Sequence, residues 1–157
     1  PPPPANDECS GAIAIACDGS ASGDNTFAGN DALPGITCGS TTATTGTNRA
    51  VWYTVTPANS GALTIGVCSG TQWDTYLRVY TGSCGAFTQC AGSDDDGCSE
   101  TDYGLSQLTF AATAGTTYYI MLGGFGTAEF GAYTISVTCP ALCAVPTGVS
   151  AGCTNWC

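Results

Sequence analysis

Eleven cysteines stand in 157 residues, and no histidine is present to share a metal with them. That density constrains the fold more than any other feature. Cysteine-rich chains of this size use disulfides and belong to oxidising compartments. Zinc is disfavoured, since no paired Cys-x-x-Cys set occurs. The expected location is therefore extracellular or at a cell surface. No signal peptide is evident, which suggests a mature or excised form, and no apolar run is long enough to span a membrane.

The charge balance narrows the partners. Arg49 and Arg78 face twelve acidic residues, and the net charge is −10. Nothing here can neutralise phosphates, so nucleic acid and anionic membrane surfaces are excluded as partners. Cations and neutral glycans remain. Only 9% of residues are charged, and Ser and Thr supply most of the polar surface. No acceptor site for ordinary N-glycosylation is present.

From Val51 onward the chain alternates with period two. Val51, Tyr53 and Val55 share one face, as do Leu63, Ile65 and Val67, then Leu77 and Val79. Leu105 to Phe110, Thr117 to Leu122 and Tyr133 to Cys139 follow the same habit. Glycine-rich turns separate these runs. Such patterning predicts an all-β sandwich, and the long spans between some strands favour Greek-key or jelly-roll wiring, stapled by disulfides. Gly11 to Cys17 is a further strand candidate, and Asp18 to Asn30 reads as loop or irregular edge strand. Three parts are expected: a proline-rich arm over residues 1–5, the sandwich over 6–139, and a cysteine-rich tail over 140–157.

The chemistry concentrates between Gln72 and Glu100. Asp94, Asp95 and Asp96 are consecutive and precede Gly97. Adjacent carboxylates repel unless solvent or a cation screens them, and calcium takes six to eight oxygen ligands. The alternative is a solvated acidic turn. Asp74 sits just before the Leu77 strand, and the acidic loop follows that strand and its return. Both are expected at one sheet end. Cys84 and Cys90 are expected to pair across a short loop that fixes where the acidic loop departs.

The pieces Asn6-Asp7-Glu8-Cys9, Val51-Trp52-Tyr53, Trp73 to Tyr80, Asp95-Asp96-Gly97-Cys98, Ser106 to Phe110, Gly115 to Ile120 and Gly131 to Val137 occur in one order. Together they resemble the pre-peptidase C-terminal type of secreted module, in a cysteine-rich form. The Asp74 strand is also similar to the calcium-binding strand of CUB domains. The resemblance implies a jelly-roll sandwich and a non-catalytic adhesive or substrate-binding role. It carries calcium ligation over to Asn6 and Asp7, to Asp74 by the CUB likeness, and to Asp95 and Asp96. Asn48-Arg49 departs from relatives that have an acid at this point, so no ligand is expected from that strand.

Trp52, Trp73, Tyr76, Tyr80 and Tyr103 are candidates for a glycan-stacking platform, against the alternative that they cover the core. Gly148-Val149-Ser150-Ala151-Gly152 matches the nucleophile-elbow pattern. No histidine exists to act as its base and no strand precedes it, so no enzyme is expected. Cys9, Cys17, Cys38, Cys68, Cys84, Cys90, Cys98 and Cys139 form an even set within the sandwich. Cys143, Cys153 and Cys157 form an odd set beyond it. An odd remainder suggests an intermolecular bond or a free thiol. The expected function is a structural subunit, stabilised by calcium, that self-associates through arm and tail. The alternative is a glycan- or protein-binding adhesion module.

Overall fold

The computed structural model describes residues 1–39, 47–99 and 104–141. The Ser/Thr-rich segment from Ser40, Tyr103, the Ser150 motif and the three tail cysteines lie outside the described residues. Among the described residues nine strands follow a 3-10 turn at Cys9–Gly11: β1 (Ile13–Ala14), β2 (Ser20–Asp24), β3 (Asn48–Val55), β4 (Gly61–Gly66), β5 (Thr75–Ser83), β6 (Ala86–Asp94), β7 (Gln107–Ala112), β8 (Tyr118–Gly124) and β9 (Ala132–Thr138). Among the described residues no helix is long and apolar enough to cross a membrane.

The strands form two sheets, ordered β1-β3-β8-β5-β6 and β2-β9-β4-β7. From β3 to β9 the chain changes sheet at every connection except the β5–β6 hairpin. This is the crossing wiring expected, and the all-β sandwich holds. The alternation explains the inner core. Val51, Tyr53, Val55, Leu63, Ile65, Leu77, Val79, Ile120, Leu122, Ile135 and Val137 meet between the sheets and are essentially inaccessible. Tyr53 and Tyr133 bridge it with a 2.7 Å hydroxyl pair.

The outward face of the first sheet is also buried. Trp52, Tyr80 and Met121 project there and form a second apolar cluster with Cys38 and Ala50. Strands β3, β5 and β8 are thus covered on both sides, the condition under which strands become almost continuously apolar. Their cover is irregular chain. Asn6 donates its side-chain amide to the Trp52 carbonyl at 3.0 Å and accepts from the Trp52 amide at 2.8 Å. Asp31 accepts from Trp52 Nε1 at 2.6 Å. Arg78, wholly buried, donates from Nε to the Cys38 carbonyl at 2.9 Å and lies over the Tyr76 ring.

Among the described residues four disulfides staple this arrangement: Cys9–Cys84, Cys17–Cys139, Cys38–Cys90 and Cys68–Cys98. The expected Cys84–Cys90 bond does not form. Residues 86–94 are a strand, not a loop, and Cys90 lies opposite Tyr80 well inside the hairpin. An extended segment of that length holds the two cysteines on the order of 15 Å apart, beyond disulfide reach. Cys84 at the turn instead meets Cys9, and Cys90 meets Cys38, so both bonds fasten the outer cover to the hairpin.

The aromatic platform is also corrected. Trp52, Trp73, Tyr76 and Tyr80 are 3%, 6%, 5% and 0% exposed, too little to stack a sugar. Trp73 belongs to the inner core with Leu77, edge-on to Tyr133, and donates from Nε1 to the Ala132 carbonyl at 3.1 Å.

Candidate functional site

The antiparallel pairing of β5 with β6 and β8 brings the start of β5, the end of β6 and the loop after β8 to one sheet end. Asp74 stands there. Its amide donates to Glu129 Oε2 at 3.0 Å, and its carbonyl accepts from the Phe125 amide at 3.0 Å. Its Oδ1 is buried with no hydrogen-bond partner. The carboxyl is pushed up to about 6, first by burial and then by Glu129, Asp96 and Asp95. Asp95 is raised too, by burial and by Asp96 and Asp94. Gly104 has φ +74°, and a Cβ there would fall 2.7 Å from Asp74 Oδ1, so glycine is required beside this carboxylate.

The structure therefore gathers Asp74, Asp95 and Asp96, and adds Glu129. Asp94 is occupied otherwise: its Oδ2 accepts from the Gly97 and Gln107 amides at 2.7 and 2.9 Å and shapes the turn. Asn6 and Asp7 lie elsewhere. Asn6 is spent on Trp52, and Asp7 Oδ1 accepts from the Gly29 amide at 2.6 Å. Both flank β3, which β8 separates from β5, a gap of about 10 Å between strand axes. The six predicted ligands are not brought together as one set. Among the described residues no three carboxylate or thiolate side chains stand close enough to hold a metal. Sequence reasoning missed Glu129. The available signal was topological: a β8–β9 loop must return to the end where β5 begins.

The crowding at Asp74 has a measurable sign. A carboxyl raised from 3.8 unfolded to about 6 folded binds protons more tightly in the native state. Stability is then lost as pH rises from about 4 to about 6, and the penalty is complete above that. Asp74→Asn should raise Tm at pH 7 by a few degrees, reflecting about 1 kcal/mol after solvent screening of this half-exposed group. It should change nothing at pH 3.5. A loss at pH 7, or an equal gain at both values, would contradict this assignment.

A second feature lies on the outer cover. A cavity of about 550 Å³ opens between residues 31–36 and the β5–β6 turn, beside Cys9. Trp52, Phe87, Leu33, Pro34 and Ile36 give it apolar walls, and Glu8 and Asp31 supply carboxylates. Burial pushes Asp31 up to about 6; the Trp52 hydrogen bond opposes the shift, and Glu8 and Asp7 add to it. No periodicity marks residues 31–36, so the sequence carried no signal for this groove.

No protein-family profile matches the sequence, and no curated protein matches it significantly. The structure is similar to the pre-peptidase C-terminal domain of a collagenase from Bacillus anthracis, with TM-score 0.51 and 15% identity, over 81% of this chain and 94% of that one. It is also similar to CorA, a surface-associated copper-binding protein important in Methylomicrobium album BG8 copper acquisition. There the TM-score is 0.47 and the identity 13%, over 82% of this chain and 99% of that one. Identities this low speak of fold alone. The chain has the fold of a pre-peptidase C-terminal domain, in a form stapled by four disulfides.

Proposed function

We propose that this chain is a non-catalytic extracellular module that joins into larger assemblies through a covalent bond made outside the sandwich. The observation that carries the reading is cysteine parity. The chain has eleven cysteines, and eight pair among themselves within the sandwich. Cys143, Cys153 and Cys157 remain, and three cannot pair off together. At least one has its partner outside residues 1–157 or stays a thiol, and an exposed thiol in an oxidising compartment reacts. The proline-rich arm carries no cysteine, so the bond joins tail to tail; when it links different tail cysteines of two copies, the contact is heterologous and gives a ring or an open filament.

The test is the triple variant Cys143→Ser/Cys153→Ser/Cys157→Ser. On a denaturing, non-reducing gel the parent should run as a ladder that reductant collapses, and the variant as a monomer. The variant should keep the parent's circular dichroism. A parent that is monomeric without reductant contradicts covalent assembly and favours the adhesion module.

Calcium enters the same reading as a stabiliser of the Asp74 end. Its support is the unpartnered Asp74 Oδ1 among crowded carboxylates, where a cation would relieve repulsion. Among the described residues no three such side chains stand close enough to hold a metal, so an ion at Asp74 would take most of its ligands from water. At pH 7, millimolar calcium should raise the Tm of the parent over chelator and leave Asp74→Asn unmoved, because binding to the native state alone stabilises it. No calcium-dependent shift in the parent removes the cation from the account.

A further inference from the structure

We propose that the outer groove beside Trp52 and Phe87 binds a lysine or arginine side chain of a partner polypeptide. This goes beyond assembly and rests on a different part of the molecule. The groove, about 550 Å³, is large enough for a side chain with adjoining backbone. Its walls are apolar at Leu33, Pro34, Ile36 and Phe87, which suits an aliphatic stem. Its polar groups are the carboxylates of Glu8 and Asp31, and no basic residue lines it. Charge complementarity therefore calls for a cation on an apolar stem.

The acceptors are held in place before any partner arrives. Trp52 Nε1 donates to Asp31 Oδ2 at 2.6 Å, which orients the carboxylate and leaves Oδ1 to accept from a ligand. The Asp31 amide donates to the Thr47 carbonyl at 3.0 Å and anchors the same residue to the edge of β3. Cys9–Cys84 ties the Glu8 wall to the β5–β6 turn, and Cys38–Cys90 ties the far end of the cover to β6. Phe87 stacks on both Trp52 and Tyr80, with ring centroids at 5.7 and 4.9 Å, and those two lie 6.3 Å apart, so the three rings pack as one cluster beneath the groove. A pre-formed site of this kind spends little on ordering when it binds.

The cation must come from another molecule. The chain has no lysine, and its two arginines are engaged. Arg78 is wholly buried, and the Arg49 guanidinium lies 4.0 Å from the centre of the Phe130 ring. A second copy therefore has no lysine to offer and no unengaged arginine side chain, and the partner is a different, basic polypeptide.

The experiment uses the full chain and two short capped peptides, Ac-Pro-Lys-Leu-amide and the same peptide with Nε-acetyl-lysine, followed by NMR. The lysine peptide should shift Trp52 Nε1–H, Phe87 and Asp31 in a saturable way, with a Kd of millimolar order. The acetylated peptide should bind about tenfold more weakly or not at all. Glu8→Gln and Asp31→Asn should each weaken binding about threefold to tenfold. Glu8→Gln is a surface change, Asp31→Asn keeps a side-chain oxygen for Trp52 Nε1–H, and unchanged amide spectra elsewhere would establish that each variant is folded. Asp95→Asn, at the far acidic cluster, should leave the affinity unchanged. Equal binding of both peptides, shifts centred on Asp95 and Asp96, or indifference to Glu8→Gln and Asp31→Asn would each overturn the proposal. Equal affinity for n-butylamine would overturn the polypeptide as the ligand.

Discussion

Cys17→Ser/Cys139→Ser should cost about 4–5 kcal/mol of stability, the largest effect of any disulfide here. The bond spans 122 residues, more than any of the other three. Chain-entropy stabilisation grows with the loop closed, though only logarithmically. It also has a local role. Cys17 lies between β1 and β2, and Cys139 follows β9, so the bond clamps the first strands to the last one. Strand β2 pairs with β9 alone and is an edge. Without the clamp, β1 and β2 should fray before the rest. Both cysteines lie at or near the surface, so serine introduces no buried polar group. Urea unfolding of the double variant, compared with Cys68→Ser/Cys98→Ser, checks the account. The Cys68 bond spans only 30 residues and should be worth about 1 kcal/mol less. The reverse ranking would contradict the entropic argument.

Trp52→Ala should cost about 3–5 kcal/mol, the range for removing a large buried aromatic side chain. Trp52 is only 3% exposed, yet it faces away from the inner core. Its loss leaves a void under the irregular cover, removes the ring stacked on Phe87, and takes from Asp31 its one described side-chain donor. Trp52→Phe keeps much of the apolar surface and loses the donor, and should cost nearer 1 to 2 kcal/mol. Chemical denaturation of both variants distinguishes a packed third layer from a loose one. A cost below about 1 kcal/mol for Trp52→Ala would mean that the cover contributes no core.

The inner core was legible because period two is a direct signature of a strand with one buried face. Val51-Tyr53-Val55, Leu63-Ile65 and Tyr133-Ile135-Val137 all obeyed it. The outer core was not legible for the same reason. Trp52, Tyr76 and Tyr80 sit at the alternate positions, and alternation alone does not say whether the second face meets water or more chain. Here it meets residues 6–12 and 31–39, which have no period of their own. The cysteine pairing failed on a related point. Spacing along the chain suggested a loop from Cys84 to Cys90, whereas β6 runs straight through it.

The acidic end was partly legible. Asp74 and the Asp95–Asp96 turn meet because a strand and its hairpin return begin and end together. Asn6 and Asp7 were carried over by resemblance, but the chain places them beside β3, where the Trp52 backbone and the Gly29 amide use them. Asp94 was drawn into its own turn by two backbone amides, a common fate of an Asp at the first position of a turn whose fourth residue is glycine.

The most direct measurement is disulfide mapping of the full chain under non-reducing conditions. The account predicts four intrachain pairs, Cys9–Cys84, Cys17–Cys139, Cys38–Cys90 and Cys68–Cys98, plus a cross-linked peptide joining residues 140–157 of two chains. A tail cysteine paired with one of those eight, or a monomer whose tail holds one internal bond and one free thiol, would contradict it.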